Sequence, residues 1–317
     1  MKPAHITCFS TDVKMSSSHA GFVALLKRSS SIMRLRRTAI TEIIAESLDR
    51  SLPVGYRLMR LVTRSNVLRH MARSYYSHRV PVAYSTDQET MFTGLSVSKA
   101  VRDLNEKGFA DGIALPRPFI KGILSFCAEA QFVDDFSNEP LSIDLQDDRI
   151  PHPDRLAYRC RNPHTHCYHV AQLARDPAIV EVAVGYLKAQ PVFRSTRIFW
   201  SYPDYSEGYN PLYGFHYDID DYKFLKLFFY LCDVDNSCGP HVIIEGSHKK
   251  KDWYEKAHRR LRDDQAERRY GQRIRVITGA AGQGFFEDTF CYHKGSKPQK
   301  RRLMLELEFS ISTNACA

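Results

Sequence analysis

Long apolar runs are missing from this sequence of 317 residues, and none approaches the roughly 18 residues that a membrane-spanning helix needs. The segment from Gly21 to Leu26 is also too brief and too weakly flanked for a convincing secretory signal. With 43% hydrophobic and 26% charged residues, the composition is that of a globular protein with a substantial core. We therefore expect a soluble, cytoplasmic protein.

Cysteines at paired spacings are missing too. The eight cysteines are scattered, which favours reduced thiols in a reducing compartment over a disulfide framework. One group of zinc-capable residues lies within ten positions and comprises Cys160, His164, His166, Cys167 and His169. Because this group contains no C-x-x-C pair, we interpret it as a polar loop near the mouth of a site rather than as a structural zinc site.

Acidic residues are scarce in the N-terminal quarter. Between Leu26 and Val80 twelve Lys and Arg residues face three Asp and Glu residues, an excess of nine that equals the net charge of the whole chain. Apolar residues at helical spacing predict two basic amphipathic helices here, with Pro53 and Gly55 breaking between them. The first is marked by Ile40, Ile43, Ile44 and Leu48, and the second by Leu58, Leu61, Val62 and Leu68.

These basic helices have several interpretations, because clustered Lys and Arg suit any anionic surface. We favour apolar faces that pack on the main domain and leave the charge in solvent. Peripheral contact with a membrane or an acidic partner comes next, and we expect no nucleic acid. The Arg-rich and Ser-rich start also resembles an organelle transit peptide. We treat residues 1–95 as a basic, Ser-rich N-terminal extension.

The remainder, residues 96–317, has the pattern of one mixed domain. Helices are predicted over 118–130 and 178–188, the second opened by the capping pair Asp176-Pro177. Strands are predicted over 197–202, 215–218, 224–232, 241–245, 284–286 and 303–309. Helices first and strands later predict an α+β fold that is mainly β, with an antiparallel core and helical buttresses.

One of these strands carries the triplet His216-Tyr217-Asp218. Residues two apart on a strand point to the same side, so the strand delivers an imidazole and a carboxylate together. Such a pair is two-thirds of the facial triad that holds non-haem iron. Chance alone gives about 1.5 His-x-acid triplets in a chain of this composition, so the pair needs further partners before it is informative.

Those partners follow in order along the chain. They are Tyr230-Leu231-x-Asp233-Val234-Asp235, Gly239-Pro240-His241, Gly246-Ser247-His248, His293-x-Gly295-Ser296 and Arg302. Taken with His216-x-Asp218, this series resembles the phytanoyl-CoA dioxygenase family of Fe(II)- and 2-oxoglutarate-dependent oxygenases. The resemblance extends over about 105–309 and is clearest in the last hundred residues.

The resemblance implies a double-stranded β-helix, the cupin-like jelly roll, with Fe(II) held between its sheets. It implies three catalytic metal ligands, His216, Asp218 and His293, and 2-oxoglutarate and O₂ as cosubstrates. Arg302 would anchor the distal carboxylate of 2-oxoglutarate, with Arg301 as its rival, because a planar donor fork matches two oxygens. Ser296 would assist it, and Trp200 and Lys226 would line the cosubstrate pocket.

The activity implied is hydroxylation of a small-molecule or lipid-like substrate with release of succinate and CO₂. The alternative is a non-catalytic jelly-roll protein whose basic N-terminal helices contact a membrane or an acidic partner. We expect Asp220 and Asp221 to be turn residues, and His241 and His248 to be structural.

Overall fold

The computed structural model describes residues 52–77, 89–134, 140–142, 157–207, 210, 213–252, 255–256 and 258–313. All of these belong to one compact unit of the chain. The predicted helix marked by Ile40 to Leu48 lies outside the described residues. The boundary between residues 95 and 96 stays a prediction.

The first described helices divide at a different place from the one predicted. Helix α1 spans Val54–Thr63 and helix α2 spans Asn66–Ser77, so Gly55 lies inside a helix and the segment expected to form one helix forms two. The break follows Thr63, because the Ser65 hydroxyl accepts a hydrogen bond from Leu68 N (3.4 Å) at the start of α2.

The other helices follow the sequence pattern closely. The Asp176 carboxylate accepts hydrogen bonds from Ala178 N (3.0 Å) and Ile179 N (3.4 Å), which confirms the predicted N-cap. The helices are α3 (Val97–Lys107), α4 (Arg117–Glu129), α5 (Tyr168–Leu173), α6 (Pro177–Leu187) and α7 (Asp263–Tyr270). None of the helices in the described ranges is long and apolar enough to cross a membrane.

Thirteen strands form two antiparallel sheets within the described residues. The first sheet has the order β1-β11-β7-β13-β5-β4-β2-β3, and the second has the order β10-β8-β12-β6-β9. The strands are β1 (Phe109–Ala114), β2 (Gln131–Val133), β3 (Pro140–Ser142), β4 (Ala157–Arg161), β5 (Val192–Ser201), β6 (Phe215–His216), β7 (Phe224–Tyr230), β8 (His241–Ile244), β9 (Arg260–Leu261), β10 (Ile274–Ile277), β11 (Gln283–Glu287), β12 (His293–Gly295) and β13 (Arg302–Ser310).

The path of the chain between the sheets defines the fold. Strands β5, β7, β11 and β13 lie side by side in the first sheet, and β6, β8, β10 and β12 lie side by side in the second. From β5 onwards the chain crosses repeatedly from one sheet to the other. This is the eight-stranded jelly roll, or double-stranded β-helix, in which two antiparallel sheets face each other. The predicted mainly-β fold with helical buttresses is confirmed.

Both faces of the first sheet are buried, and each has a different partner. In β7, Leu227 and Phe229 belong to the core that includes Leu104 of α3 and Ile179 of α6. Phe228 alternates with them and packs with Ile243 of the second sheet. A strand covered on both sides reads as a continuous apolar run, which explains the run seen in the sequence. The space between the sheets is where polar side chains collect.

Helix α1 packs on the second sheet through its buried side chains. Tyr56 and Met59 join a cluster with Tyr217, Phe290 and Tyr292. On its other side the helix leaves apolar residues in solvent, since Val54 is 62% exposed. The described part of the basic region therefore packs against the jelly roll and also presents apolar surface.

The described cysteines are buried or half-buried free thiols, and they comprise Cys127, Cys160, Cys167, Cys232, Cys238 and Cys291. The reduced state of the cysteines stays a prediction.

Candidate metal centre

The structure brings together the three residues predicted to hold a metal. His216 ends β6, Asp218 follows two residues later, and His293 opens β12 directly opposite His216 in the sheet. One ligand atom from each of these residues lies within 4.8 Å of the others, and no other such group of His, Cys, Asp or Glu occurs among the described residues. The polar group at Cys160 to His169 therefore forms no metal site within these ranges.

Both histidine rings are oriented by backbone carbonyls. The Nδ1 of His216 lies 3.1 Å from Gly214 O, and the Nδ1 of His293 lies 3.0 Å from Cys291 O. Because a carbonyl oxygen only accepts, each Nδ1 carries the proton and each Nε2 keeps its lone pair. The site thus offers two imidazole nitrogens and one carboxylate, the donor set suited to non-haem Fe(II). The residues present fit a metal ion of this kind.

A short loop between β11 and β12 holds two of the three ligands. We call it the 288–292 loop. Its Thr289 carbonyl accepts a hydrogen bond from Asp218 N (2.8 Å), and its Cys291 carbonyl accepts one from His293 Nδ1 (3.0 Å). The two ligands from distant strands are therefore held in position by the same stretch of backbone.

Lys226, predicted to line the cosubstrate pocket, lies on β7 beside the metal ligands. Its ammonium is 2.8 Å from Asp218 Oδ2 and 2.8 Å from Asp220 Oδ2, and the residue is only 4% exposed. Burial raises the pKa of Asp218, but the Lys226 ammonium and the two histidines outweigh burial and hold that pKa well below its usual range. The carboxylate is thus ionised and ready to ligate.

The two aspartates that follow have different surroundings. Asp220 lines the cavity and shares Lys226 with Asp218, so it is more than a turn residue. Asp221 is fully buried and accepts hydrogen bonds from Ile311 N (2.9 Å) and Ser312 N (2.7 Å). It fixes the chain just after β13.

Arg302 opens β13 and lines the same cavity. Its Nη1 donates to Gly239 O, whereas its buried Nε has no hydrogen-bond partner among the described residues. Gly239 has φ 66°, and a Cβ there would lie 2.6 Å from Ser296 O, so only glycine fits. The guanidinium of Arg301 instead lies over the Trp200 ring at 5.4 Å. Of the two adjacent arginines, only Arg302 lines the cavity.

Ser296 and Trp200 differ in placement. Ser296 lines the cavity, and its backbone N donates to Pro240 O (2.9 Å). Trp200 does not line it, because side chains alternate along β5 and those of Phe199 and Ser201 take the inward positions. The indole is 3% exposed and lies in the core beneath the helices, beside Tyr202. The structure therefore does not bring Trp200 to the predicted cosubstrate pocket.

A buried pair behind His293 was not predicted from the sequence. The Nε2 of His241 lies 2.6 Å from Glu287 Oε2, and the His241 ring stacks on His293 at 5.5 Å. Burial raises the pKa of Glu287 to about 8 and lowers that of His241 to about 3. Both shifts favour the neutral form of the group, so the contact is a close approach of two buried groups rather than an ion pair. The sequence feature that could have indicated this pair is Glu287, a carboxylic acid at the end of an otherwise apolar strand.

The space around these residues is a cavity of about 320 Å³, which we call the inter-sheet cavity. Arg197, on its wall, contacts Glu306 Oε1 at 2.6 Å and Glu308 Oε2 at 3.4 Å. Along β13 Glu306 alternates with core leucines, and its side chain lines the cavity instead of lying in solvent. Other lining residues include Arg159, Phe199, Tyr213, Phe228 and Met304.

No protein-family model and no curated protein matches this sequence. Several solved structures are similar to it. HygX from Streptomyces hygroscopicus, solved with nickel and 2-oxoglutarate bound, is 14% identical over 68% of this chain and 87% of its own, with a TM-score of 0.48.

Two enzymes of nogalamycin biosynthesis are similar as well. The non-heme alpha ketoglutarate dependent epimerase SnoN is 14% identical over 67% of this chain and 80% of its own, with a TM-score of 0.46. The carbocyclase SnoK is 15% identical over 71% of this chain and 87% of its own, with a TM-score of 0.44. The jelly-roll assignment itself rests on the strand order.

Proposed function

We propose that this protein is an Fe(II)- and 2-oxoglutarate-dependent oxygenase of the phytanoyl-CoA dioxygenase type. The observation that carries the proposal is the convergence of two imidazole Nε2 atoms and one carboxylate within 4.8 Å. Two histidines and one carboxylate on one side of the metal leave positions open for cosubstrates. Bound iron with 2-oxoglutarate and O₂ would supply the oxidation, with release of succinate and CO₂.

The protein's part in this reaction is to bind and to orient. His216, Asp218 and His293 hold the metal, and the Nδ1 hydrogen bonds of the two histidines fix their rings. Arg302 binds the distal carboxylate of 2-oxoglutarate, because its buried Nε still has hydrogen-bonding capacity. Ser296, near it on the cavity wall, adds a hydroxyl.

The lining favours a small polar substrate over a lipid-like one. Arg197, Glu306 and Asp220 all line the inter-sheet cavity, whose volume is about 320 Å³. A long acyl chain laid against these groups would remove their hydration without replacing it, which is costly. A substrate with hydroxyl, amino or carboxylate groups would instead pair with them. We therefore propose hydroxylation of a polar metabolite.

The test is an anaerobic titration of the metal-free protein with Fe(II) and 2-oxoglutarate. We expect a weak visible charge-transfer band that is absent in His216→Ala, and succinate formation when O₂ is admitted with the right substrate. Pools of polar metabolites and of acyl-CoA thioesters, compared side by side, test the substrate class. A protein that gives neither the band nor succinate is not an oxygenase.

A second candidate function is a metal-free binding protein built on the same jelly roll. The observation that favours it is the Lys226 ammonium, which lies 2.8 Å from Asp218 Oδ2 and already neutralises the carboxylate that a metal would need. In that case the protein would bind a polar molecule without turnover. Calorimetry with Fe(II) separates the two, since only the oxygenase binds the metal through Asp218.

A further inference from the structure

A second cavity, of about 380 Å³, lies away from the proposed metal centre. Its walls come from α2, from α6 and from the segments next to β7, β8 and β11. We call it the basic cavity. The residues that matter for its chemistry are Arg69, Arg73, Tyr186, Lys223, Lys249 and Asp288.

The cations of this cavity outnumber its one carboxylate. That carboxylate, Asp288, is 1% exposed and already accepts hydrogen bonds from Tyr186 Oη (2.5 Å) and Phe290 N (3.0 Å). His248, which also lines the cavity, adds no charge, because burial lowers its pKa to about 4. Four basic side chains therefore surround a single satisfied anion. Of these four side chains Arg69 is buried, and burying a charge without an anionic partner is costly, so the arrangement indicates an anion from outside the chain.

Arg69 is the fixed centre of this arrangement. It is 5% exposed, its Nε donates to Tyr222 O (2.8 Å), and its guanidinium lies 3.6 Å above the Phe290 ring. Its buried Nη2 has no hydrogen-bond partner within the described residues. A buried donor without a partner costs roughly 1–3 kcal/mol, and a rigid guanidinium suits oxygen anions.

A second guanidinium is held beside the first. Arg73 Nε donates to the same Tyr222 carbonyl (2.9 Å), one helical turn along α2 from Arg69. The Lys223 ammonium donates to Tyr186 O and lies 4.1 Å from the centre of the Tyr186 ring. Backbone carbonyls and an aromatic ring thus hold three cations close together, where they repel one another unless an anion lies between them.

We propose that the basic cavity binds a phosphate group. Two guanidinium groups and two ammonium groups match the charge and the several acceptor oxygens of phosphate better than those of a single carboxylate. The electrostatics agree, because burial and the neighbouring Arg73 lower the pKa of Lys223 to about 7. A bound anion would reverse that effect.

The phosphate has two sources to distinguish, a free phosphorylated molecule or a lipid headgroup. The same helix α2 exposes Val67 (69%) and Met71 (62%) to solvent, and apolar side chains beside a phosphate site are what a headgroup site at a membrane surface requires. The chemistry that the cavity recognises is the same in both cases.

The experiment uses the full chain and three variants. Arg73→Gln and Lys249→Gln each remove one cation of the cavity, and Lys250→Gln removes the adjacent exposed lysine, which is not in its wall. Inorganic phosphate and pyrophosphate are titrated at constant ionic strength, with thermal unfolding and calorimetry as readouts. These substitutions spare the buried Arg69, so loss of folding does not confuse the result.

We expect saturable stabilisation of the wild type by both anions. Affinity should fall about tenfold in Arg73→Gln and less in Lys249→Gln, and stay unchanged in Lys250→Gln. An absence of saturable binding overturns the proposal, as does binding that Arg73→Gln leaves intact.

Sedimentation with vesicles identifies the source. Vesicles of phosphatidylcholine alone are compared with vesicles that also contain phosphatidic acid. Sedimentation that requires phosphatidic acid and is lost in Arg73→Gln supports a headgroup, and soluble binding without sedimentation supports a free phosphorylated molecule. Vesicle binding that survives in Arg73→Gln, together with no soluble binding, excludes the basic cavity as the site.

Discussion

The two cavities of this protein differ in how their charged side chains are paired. In the inter-sheet cavity Lys226 contacts Asp218 and Asp220 at 2.8 Å and Arg197 contacts Glu306 at 2.6 Å, whereas Arg302 donates to the backbone carbonyl of Gly239. In the basic cavity the cations neighbour one another, and Asp288 is already occupied by Tyr186. Paired charges can be buried without a ligand, whereas unpaired ones call for one. The charges beside the metal ligands are therefore paired before a metal binds, whereas the cations of the basic cavity become paired only when an anion binds.

The largest effect is expected from a comparison of Asp218 and Asp220, the two aspartates that contact Lys226. Asp218→Asn should abolish Fe(II) binding and reduce succinate formation on the order of 100-fold or more, because even outer partners of metal ligands cost 10- to 100-fold. Asp220→Asn removes the same charge two residues later and should keep the charge-transfer band. Equal losses in both variants would show that charge, and not ligation, is what Asp218 provides.

The adjacent arginines at the start of β13 offer a second matched pair. Arg302→Gln should raise the KM for 2-oxoglutarate roughly 10- to 100-fold, since hydrogen bonds to charged groups contribute about 1.5–3 kcal/mol. Arg301→Gln should leave that KM within about twofold, because its guanidinium lies over Trp200 outside the cavity. Steady-state kinetics at saturating substrate decides, and a larger effect at Arg301 would reverse the assignment.

Removal of the Lys226 ammonium tests whether it compensates the negative charges of Asp218 and Asp220. Lys226→Met leaves two half-buried carboxylates without a partner, and we expect it to lower the free energy of unfolding by about 2 kcal/mol in the absence of metal. Divalent metal should then stabilise the variant more than it stabilises the wild type. Urea unfolding with and without Fe(II), kept anaerobic, measures this, and a metal effect no larger than that of the wild type would contradict it.

A further prediction concerns the pH dependence that Lys223 gives to the basic cavity. Its pKa falls from 10.5 to about 7 on folding, so the unfolded chain binds more protons between these values and stability rises with pH across that window. Lys223→Met should remove this contribution. The free energy of unfolding of the variant, relative to that of the wild type, should therefore be higher at pH 7 than at pH 10. Saturating phosphate should flatten the wild-type dependence, and an identical pH profile in the two proteins would disprove the effect.

The sequence predicted well whatever depends on neighbours along the chain. The Asp176 cap, the apolar strand β7 and the pairing of His216 with Asp218 on one side of the chain all follow from local spacing. The convergence of His293 with His216 was inferred from an ordered series of motifs, and β12 beside β6 places the two rings 4.5 Å apart.

The sequence did not predict features that depend on which face of a helix or strand packs against which other segment. Trp200 was placed in the pocket, but alternation along β5 turns it into the helical core. The alternation of Glu306 with leucines along β13 does not reveal that its side of the strand faces the inter-sheet cavity. The excess of basic residues was noticed in the N-terminal quarter, yet Lys223, Lys249 and Asp288 arrive from distant segments, and only the fold assembles them with Arg69.

The 288–292 loop contributes to both the basic cavity and the candidate metal centre. Asp288 forms part of the wall of the basic cavity, whereas the carbonyls of Thr289 and Cys291 hold Asp218 and His293. Its length is therefore fixed by two requirements at once, since one inserted residue would shift a carbonyl away from a metal ligand or turn Asp288 out of its cavity. Redesign of either site has to keep the length of this five-residue loop unchanged.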